Sequence, residues 1–338
     1  MMKPITIAQR FRPFSHKPGS ACLIPGTWWS LQAFPALLRL SHEKEILECA
    51  LHLTGPVEQF TLQQDMEKRC VWVFGRAKEG YFRLRLTASS NELTIYADKT
   101  PPSGLRTSLG DLTSKGSISL PMQWAFYEPS HLERLSLGSH KEQKWEAVSS
   151  RLDLKELLPP LLYLAQHLPP TQSKGPLFLD SNEDMLKTFF RTHCSEIFIP
   201  QLIDPQHQGI HFPSIAPYLS APPCALFQEA ASWIRSLFVK VENNRIFMLP
   251  NVPPSFDCGR FTHLLLGSLG ALDLEWSKSS LRRAVFRPAV SGELFFIPPK
   301  PFQSFRVITE RGKKGIYQKT AEPLMVKAGI AHYLDCFQ

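Results

Sequence analysis

Alternation of apolar and polar residues is the clearest pattern in the first third of the chain. Residues Tyr81–Thr87 alternate, and Glu92–Ala97 follow a Ser-Ser-Asn turn. A short apolar run, Cys70–Phe74, precedes them and is joined to them by a Lys-Glu-Gly turn. A period of two is typical of half-buried strands, and glycine or proline interrupts the runs about every ten residues. The pattern predicts an antiparallel β-sandwich over residues 1–127, with an open antiparallel sheet as the alternative.

The middle of the chain, residues 128–240, carries helical patterns instead. Leu152–Leu168 is apolar on most faces, which predicts a buried helix that its two consecutive prolines kink or divide. Ser181–Asp184 combines a capping serine with acidic residues, as at the start of a helix. Ala225–Val239 predicts a third helix after a proline-rich loop. We therefore expect a helical middle region.

Strand patterns return from residue 241 onward. Leu272–Trp276 alternates, a serine-rich turn follows, and Leu281–Arg287 forms the returning strand. The predicted small β-domain covers residues 241–310. The remaining residues, 311–338, are expected to be a basic tail with a possible helix. The predicted fold class is thus mixed and β-rich (α+β), with an N-terminal antiparallel β-sandwich, a helical middle and a small C-terminal β-domain.

Composition limits the protein class without indicating a function. The chain has 338 residues, which suits about two or three domains. Hydrophobic residues make up 43%, enough for a packed core, and this excludes a mostly disordered chain. The 29 prolines outnumber the 18 glycines, which argues against a long helical bundle and against extended central strands.

Three features predict a cytoplasmic protein with no membrane partner. The first residues lack a secretory signal, because their apolar stretch is short and is followed by Arg10 and Arg12. No window approaches the roughly 18 apolar residues that span a bilayer. The seven cysteines are scattered without a Cys-x-x-Cys pair, which indicates reduced thiols rather than a disulfide framework or a zinc site.

The formal charge of +8 is partly concentrated in the last residues. Lys300–Gln338 contains seven basic and three acidic residues. A basic region could contact nucleic acid, but no zinc finger, recognition helix or aromatic RNA-binding signature accompanies it. We therefore interpret it as a solvated tail and predict no nucleic-acid partner.

A group of motifs near the C-terminus carries a family resemblance. A Leu-Pro element precedes a glycine-containing connection, an Asp-Leu-x-Trp strand, a turn and a returning strand. The residues concerned are Met248–Pro253, Gly267, Gly270, Asp273–Trp276, Leu281, Ala284 and Val285. In this order they resemble the C-terminal β-domain of bacterial (α/α)6-barrel α-L-fucosidases, glycoside hydrolase family ninety-five. The resemblance covers only residues 244–296, and its motifs are structural rather than catalytic.

The chain departs from that family in two ways. Glycoside hydrolysis needs two acidic groups that flank the bond. The catalytic aspartate of the family would fall near Pro222–Ala225, where this sequence has no carboxylate. Twelve barrel helices would need roughly 190 residues, whereas the helical region spans only residues 129–241. The resemblance therefore implies a non-catalytic relative that binds carbohydrate or acts as a scaffold.

Two other functions remain open. One is a divergent glycoside-processing enzyme. Its candidate acids are Glu183, Asp184, Asp204 and Glu229. The other is an interaction protein whose basic C-terminus binds an acidic partner. In that case, deletion of Arg311–Gln338 should abolish binding and leave the fold intact.

Two local features supply candidate ligand contacts. The tripeptide Ser-His-Lys occurs twice in polar loops, where it either contacts an anion or substrate or recurs by coincidence. An adjacent Trp-Trp pair points its rings to opposite faces of a strand, so that one could stack on a sugar; core packing of both is the alternative. The candidate ligand-binding residues are His16, Trp28, Trp29, His140 and Lys141. Residues 10–16 and 137–141 also resemble an uncharacterised bacterial family, which implies no activity.

The sequence indicates no catalytic or metal site. His207 and His211 are spaced as metal ligands on a helix would be, but Pro205 and Gly209 make this segment a loop. Neither a glycine-rich phosphate loop nor a Gly-x-Ser-x-Gly nucleophile motif occurs. We therefore predict no catalytic residue, no metal ligand and no cofactor.

Overall fold

A computed structural model of the chain describes residues 3–42, 44–122, 126–138, 153–170, 194–195, 199–200, 223–309 and 314–338. Strands dominate these residues. The strands of the first part are β1 (Phe14–Ser15), β2 (Ala21–Leu23), β3 (Ser30–Phe34), β4 (Leu37–His42), β5 (Glu45–Ala50), β6 (Glu58–Asp65), β7 (Cys70–Ala77), β8 (Gly80–Ala88), β9 (Glu92–Lys99), β10 (Leu105–Thr107), β11 (Gly110–Leu112) and β12 (Ser117–Pro121).

Most of the later elements are also strands. The strands are β13 (Arg134–Ser136), β14 (Cys194–Ser195), β15 (Ile199–Pro200), β16 (Val239–Glu242), β17 (Arg245–Met248), β18 (Gly259–Leu265), β19 (Gly270–Ser277), β20 (Ser280–Pro288), β21 (Gly292–Ile297), β22 (Ser304–Ile308), β23 (Ile316–Lys319), β24 (Leu324–Val326) and β25 (His332–Asp335). Among the described residues, the helices are α1 (Leu154–Ala165), α2 (Pro223–Phe238) and a short 3-10 helix (Gly267–Leu269).

The first part consists of antiparallel sheets, as the alternation predicts. A six-stranded sheet has the order β1-β6-β7-β8-β9-β12, and a four-stranded sheet has the order β2-β3-β4-β5. In β8, Phe82, Leu84 and Leu86 are completely buried, whereas Arg83 and Arg85 between them point to the other face. Buried side chains of both sheets belong to one hydrophobic core. The β-rich, antiparallel character of this part is confirmed.

Two α-helices lie within the described part of the middle region. Asp153 caps α1, because its side chain accepts a hydrogen bond from the Lys155 backbone N–H at 2.9 Å. The helix continues through both prolines, and all its residues except Lys155 are buried. Helix α2 matches the third predicted helix, whereas the helix predicted at Ser181–Asp184 lies outside the described residues. No helix among the described residues is long and apolar enough to cross a membrane.

The C-terminal region contains a seven-stranded antiparallel sheet. Its order is β13-β18-β19-β20-β25-β22-β23, so the last strand of the chain lies inside the sheet, between β20 and β22. A second, four-stranded sheet has the order β16-β17-β21-β24 and includes one parallel pair. Trp276 of β19 is a core residue, and its indole N–H donates to the Phe256 carbonyl at 2.8 Å.

The predicted basic tail is wrong for residues 314–338. The weak helical pattern near the end is replaced by β24 and β25. The reason is that β25 pairs with β20 and β22: Leu334 points into the core, while Asp335 points out and pairs with Arg306 at 2.8 Å. The segment is therefore part of a sheet and not a separable extension.

A row of alternating charges crosses the outer face of this sheet. Arg260, Glu275, Arg283, Asp335 and Arg306 are successive cross-strand partners on five strands. Glu275 lies 2.9 Å from Arg260 and 2.6 Å from Arg283, and these arginines lower its pKa although burial acts in the opposite direction. Opposite charges that lie directly opposite on neighbouring strands attract each other. The row thus favours this register of the sheet.

Residues 3–9 form an N-terminal arm that crosses this row of charges. Arg283 donates to the Lys3 carbonyl at 2.9 Å, Arg260 to the Thr6 carbonyl at 3.1 Å, and Arg134 to the Gln9 carbonyl. A spacing of three residues is that of an extended polyproline-like chain, in which every third carbonyl points the same way. The arm is therefore held through backbone carbonyls, and its Ile5 side chain is also buried.

Candidate functional site

A cavity of about 440 Å³ lies between the two α-helices, the segment that enters β13 and the turn between β18 and β19. We call it the interhelix pocket. Its polar lining residues are Tyr127, His131, Glu133, Gln166, Gln228, Ser232 and Arg235. Leucine, alanine and proline side chains form most of the remaining wall. An apolar wall with a few convergent polar groups is the usual character of a small-molecule site.

An ion pair lies at the inner end of the pocket. Glu133 is only 5% exposed, and its Oε2 lies 2.9 Å from Nε of Arg235. Its Oε1 accepts a hydrogen bond from the Leu265 N–H at 2.9 Å, and Arg235 donates to the Leu265 carbonyl at 2.7 Å. Burial raises the pKa of Glu133, while Arg235 acts against this shift. The pair leaves the inner end of the pocket without net charge.

Gln166 fixes the end of α1 to the segment that enters β13. Its Oε1 accepts from the Glu133 N–H at 2.7 Å, and its Nε2 donates to the Glu133 carbonyl at 3.0 Å. A further bond from Nε2 to the Leu162 carbonyl, at 3.1 Å, uses its second amide proton. Gln166 therefore holds the wall of the pocket in place, because both of its donors are already engaged.

His131 brings an imidazole to the pocket with a defined tautomer. Its Nε2 lies 2.7 Å from the His263 carbonyl oxygen. Because a carbonyl only accepts, Nε2 must carry the proton, and Nδ1 of the neutral ring is then an acceptor. The His263 ring packs edge-on against it, with centroids 5.7 Å apart. The imidazole is thus oriented by the β18 segment.

The structure does not bring the sequence-predicted contact residues together. Trp29 is buried and stacks on His42 with ring centroids 5.6 Å apart, so its ring is not available to a sugar. Trp28 is half-buried and packs against the core. Neither tryptophan lines the interhelix pocket. Core packing, the alternative for this pair, is thus what the structure favours.

The two Ser-His-Lys segments have different outcomes. His16 is exposed at the edge of the six-stranded sheet, where its Nδ1 lies 3.0 Å from Oγ1 of Thr61. Its ring lies 5.2 Å from that of Phe14. His140 and Lys141 lie outside the described residues. Their role as ligand contacts stays a prediction.

A second surface carries cations stacked on aromatic rings. We call it the basic–aromatic face, the outer side of β7, β8 and β9 around Trp72, Phe74, Arg83, Arg85 and Tyr96. Cζ of Arg83 lies 4.0 Å from the centre of the Trp72 ring, and Cζ of Arg85 lies 4.7 Å from that of Tyr96. Trp72, Arg85 and Tyr96 are direct cross-strand partners. On this face, guanidinium groups and aromatic rings of neighbouring strands therefore stack on one another.

Both surfaces escape sequence reasoning, for different reasons. Four separate chain segments form the pocket, so no local spacing in the sequence predicts it. The face could have been found, because Trp72 and Phe74, like Arg83 and Arg85, are spaced by two on strands that the sequence predicts. A period of two places each pair on one side of a sheet. Pairing β7 with β8 places Trp72 and Phe74 opposite Arg85 and Arg83 on the same outer face.

Only one of the candidate acids, and neither of the candidate metal-ligating histidines, lies within the described residues. Glu229 is half-buried on α2, whereas Glu183, Asp184 and Asp204 lie outside the described residues. The His207 and His211 pair also lies outside them. Within the residues that the structure describes, no three His, Cys, Asp or Glu side chains are grouped as metal ligands would be.

Comparison with known proteins adds no assignment. No protein-family model matches the chain, and no curated protein matches its sequence at a significant level. The resemblance of residues 244–296 to the β-domain of α-L-fucosidases therefore stays a prediction.

Proposed function

We propose that the protein is a non-catalytic carbohydrate-binding protein and that the interhelix pocket holds one or two sugar units. The observation that carries the proposal is the neutral, hydrogen-bonding inner end of the pocket beside an apolar wall. A sugar has the matching character, because its hydroxyl groups both donate and accept and its C–H face is apolar. The volume of about 440 Å³ lies within the range of small-molecule sites.

Each polar group of the pocket has a part in this proposal. The two Glu133 oxygens each use one lone pair internally, so each keeps a second one for a sugar hydroxyl. Nδ1 of His131 accepts another hydroxyl, and Arg235 donates from its partly exposed guanidinium. The Tyr127 ring, which is 36% exposed, offers its face to the C–H groups of the sugar.

The absence of catalysis is part of the same proposal. Glycoside hydrolysis uses a pair of carboxyl groups on either side of the bond. Glu133 is the one carboxylate among the described residues that line the pocket. Burial raises its pKa while Arg235 and the Leu265 N–H act in the opposite direction, so the case against catalysis rests on the second carboxyl group that the described lining lacks.

The proposal includes the finer architecture expected from the sequence. In it, an N-terminal sandwich and a C-terminal β-domain flank the helices, and the sugar binds at their junction. The support is that Tyr127 follows the first set of strands, while Leu265 belongs to the seven-stranded sheet. Both contribute to one pocket.

Filling the pocket should abolish sugar binding without harming the fold. Ser232 is exposed on α2 and lines the pocket, so Ser232→Trp places an indole in the space that the sugar needs. We expect at least a tenfold loss of affinity, about 1.4 kcal/mol. A glycan array identifies the ligand. Calorimetry then measures the affinity of the wild type and of Ser232→Trp for that glycan.

The matched control is Ser236→Trp. Ser236 is exposed one helical turn further along α2 and does not line the pocket, so this variant should bind like the wild type. Failure of the wild-type protein to bind any glycan class would exclude the sugar. Equal binding by both tryptophan variants would move the sugar site away from this pocket.

A further inference from the structure

The basic–aromatic face contains an arginine that has no carboxylate partner within the described chain. Arg83 lies flat on Trp72, which is only 4% exposed as a result of this and neighbouring coverage. No carboxylate of the described residues pairs with Arg83, and its buried Nε has no hydrogen-bond partner. Stacking on Trp72 offsets part of the cost of this desolvation, and a ligand that accepts from the guanidinium would offset more.

Stacking leaves the donors of the guanidinium available. The N–H groups of arginine lie in the plane of the group, whereas the indole covers only one of its two faces. Nε is buried, so the outer face and the terminal N–H groups of Arg83 are the parts that remain open. In-plane donors match phosphate oxygens, and the open face matches another flat ring.

The surroundings of Arg83 are positive. Lys68 lies 5.9 Å from the Trp72 ring, and Arg85 lies 5.7 Å from the same ring. Asp98 is the nearest carboxylate to Arg85, and the 3.8 Å between them is long for an ion pair at a partly exposed site. The face thus attracts an anion, in line with the overall formal charge of +8.

The rings form a row across the sheet. Phe14, Gln63, Trp72, Arg85 and Tyr96 are successive cross-strand partners from β1 to β9. Four strand spacings give this row a length of about 19 Å. Phe14 at one end is exposed, and Tyr96 at the other is half-buried. The flat groups that an extended ligand can reach along it are the Phe14 ring, the outer plane of the Arg83 guanidinium and part of the Tyr96 ring.

We propose that the basic–aromatic face binds single-stranded nucleic acid. Phosphates would pair with Arg83, Arg85 and Lys68, and bases would stack on the guanidinium planes and on the exposed Phe14 ring. An acidic polysaccharide would satisfy the charges but has no flat ring to place against the aromatic groups. The expectation of no nucleic-acid partner depended on linear motifs, whereas this face is assembled across strands. The site is separate from the interhelix pocket and does not depend on the proposed function.

Binding is tested on the whole chain with a fluorescein-labelled oligothymidine of about 16 nucleotides. Two competitors distinguish the source of binding: an abasic strand of the same length, and heparin. We expect the oligothymidine to bind about tenfold more tightly than the abasic strand, because stacking contributes about 1–3 kcal/mol per base. Equal or tighter binding of the abasic strand or of heparin would overturn the proposal.

Variants of Arg83 separate charge from stacking. Arg83→Gln should weaken oligothymidine binding and lower the slope of log affinity against log salt by about 0.7, the value for one phosphate on a single strand. Arg83→Lys should keep the slope but lose much of the preference over the abasic strand. The matched control is Arg282→Gln, an exposed arginine of the seven-stranded sheet. An equal effect of Arg83→Gln and Arg282→Gln would refute this site.

Discussion

A chain that ends at Ile330 should fail to form the seven-stranded sheet. The truncation removes β25, which pairs with β20 on one side and with β22 on the other. Strands β22 and β23 would then lose their only connection to the rest of that sheet within the described residues. Hydrogen exchange read by mass spectrometry should show free exchange of those backbone amides of β20 and β22 that face β25.

Two point variants provide a graded version of this experiment. Leu334 is fully buried, and Leu334→Ala should lower the free energy of unfolding by about 2–5 kcal/mol. Tyr333, its neighbour on the same strand, points to the outer face and is half-buried, so Tyr333→Ala should cost clearly less. Chemical denaturation measures both. If the amides of β20 and β22 stay protected in the truncated chain, the last residues are a separable tail.

Acid should destabilise the protein through His167. This residue follows α1 and is 1% exposed, and neither ring nitrogen has a hydrogen-bond partner in the described chain. Burial, followed by the charge of Arg69, lowers the pKa of His167 to about 4, although Glu67 acts in the opposite direction. The Tyr163 ring packs edge-on against it at 5.0 Å.

The direction of the effect follows from the two protonation states. In the unfolded chain the imidazole has its ordinary pKa of 6.5, so between pH 6.5 and about 4 the unfolded chain binds a proton that the folded chain does not. The free energy of unfolding is therefore highest above pH 6.5 and falls as the pH is lowered toward 4. Each pKa unit corresponds to 1.36 kcal/mol, which gives a loss of about 3 kcal/mol.

The measurement compares wild type with His167→Phe by denaturant unfolding across this pH range. The phenyl ring fills a similar space and cannot titrate, so the free energy of unfolding of His167→Phe should fall much less as the pH is lowered. His167→Leu replaces this variant if the larger ring does not fit. A residual slope should remain, because burial also lowers the pKa of His332. Parallel curves for wild type and both variants would refute the assignment.

Local pattern predicted the strands whose partners are close in sequence. Strands β7, β8 and β9 follow one another through short turns, so alternation and turn residues were sufficient to find them. β25 was missed because its four residues are too few to show a period. What makes it a strand is its pairing with Arg283 on β20 and Arg306 on β22, partners that a local window does not contain.

The candidate site was less accessible to sequence reasoning than the fold. Glu133 becomes a buried, paired carboxylate only because Arg235 and Leu265, more than a hundred positions later, meet it in space. The tryptophan pair shows the opposite situation. The sequence indicates Trp29 as a candidate ligand contact, but its side chain is buried in the core. Burial depends on what covers a residue, and that cover comes from distant segments.

The position of the two chain ends has a consequence for synthesis on the ribosome. Strands β1 to β12 can pair as soon as residue 121 has emerged, whereas the seven-stranded sheet must wait for residues 332–335. The arm at residues 3–9 is made well before Arg260 and Arg283, which hold it. At roughly 5–20 residues per second, the arm waits about 14 to 55 s for them. During that interval its backbone is open to chaperones and to enzymes that process nascent chains.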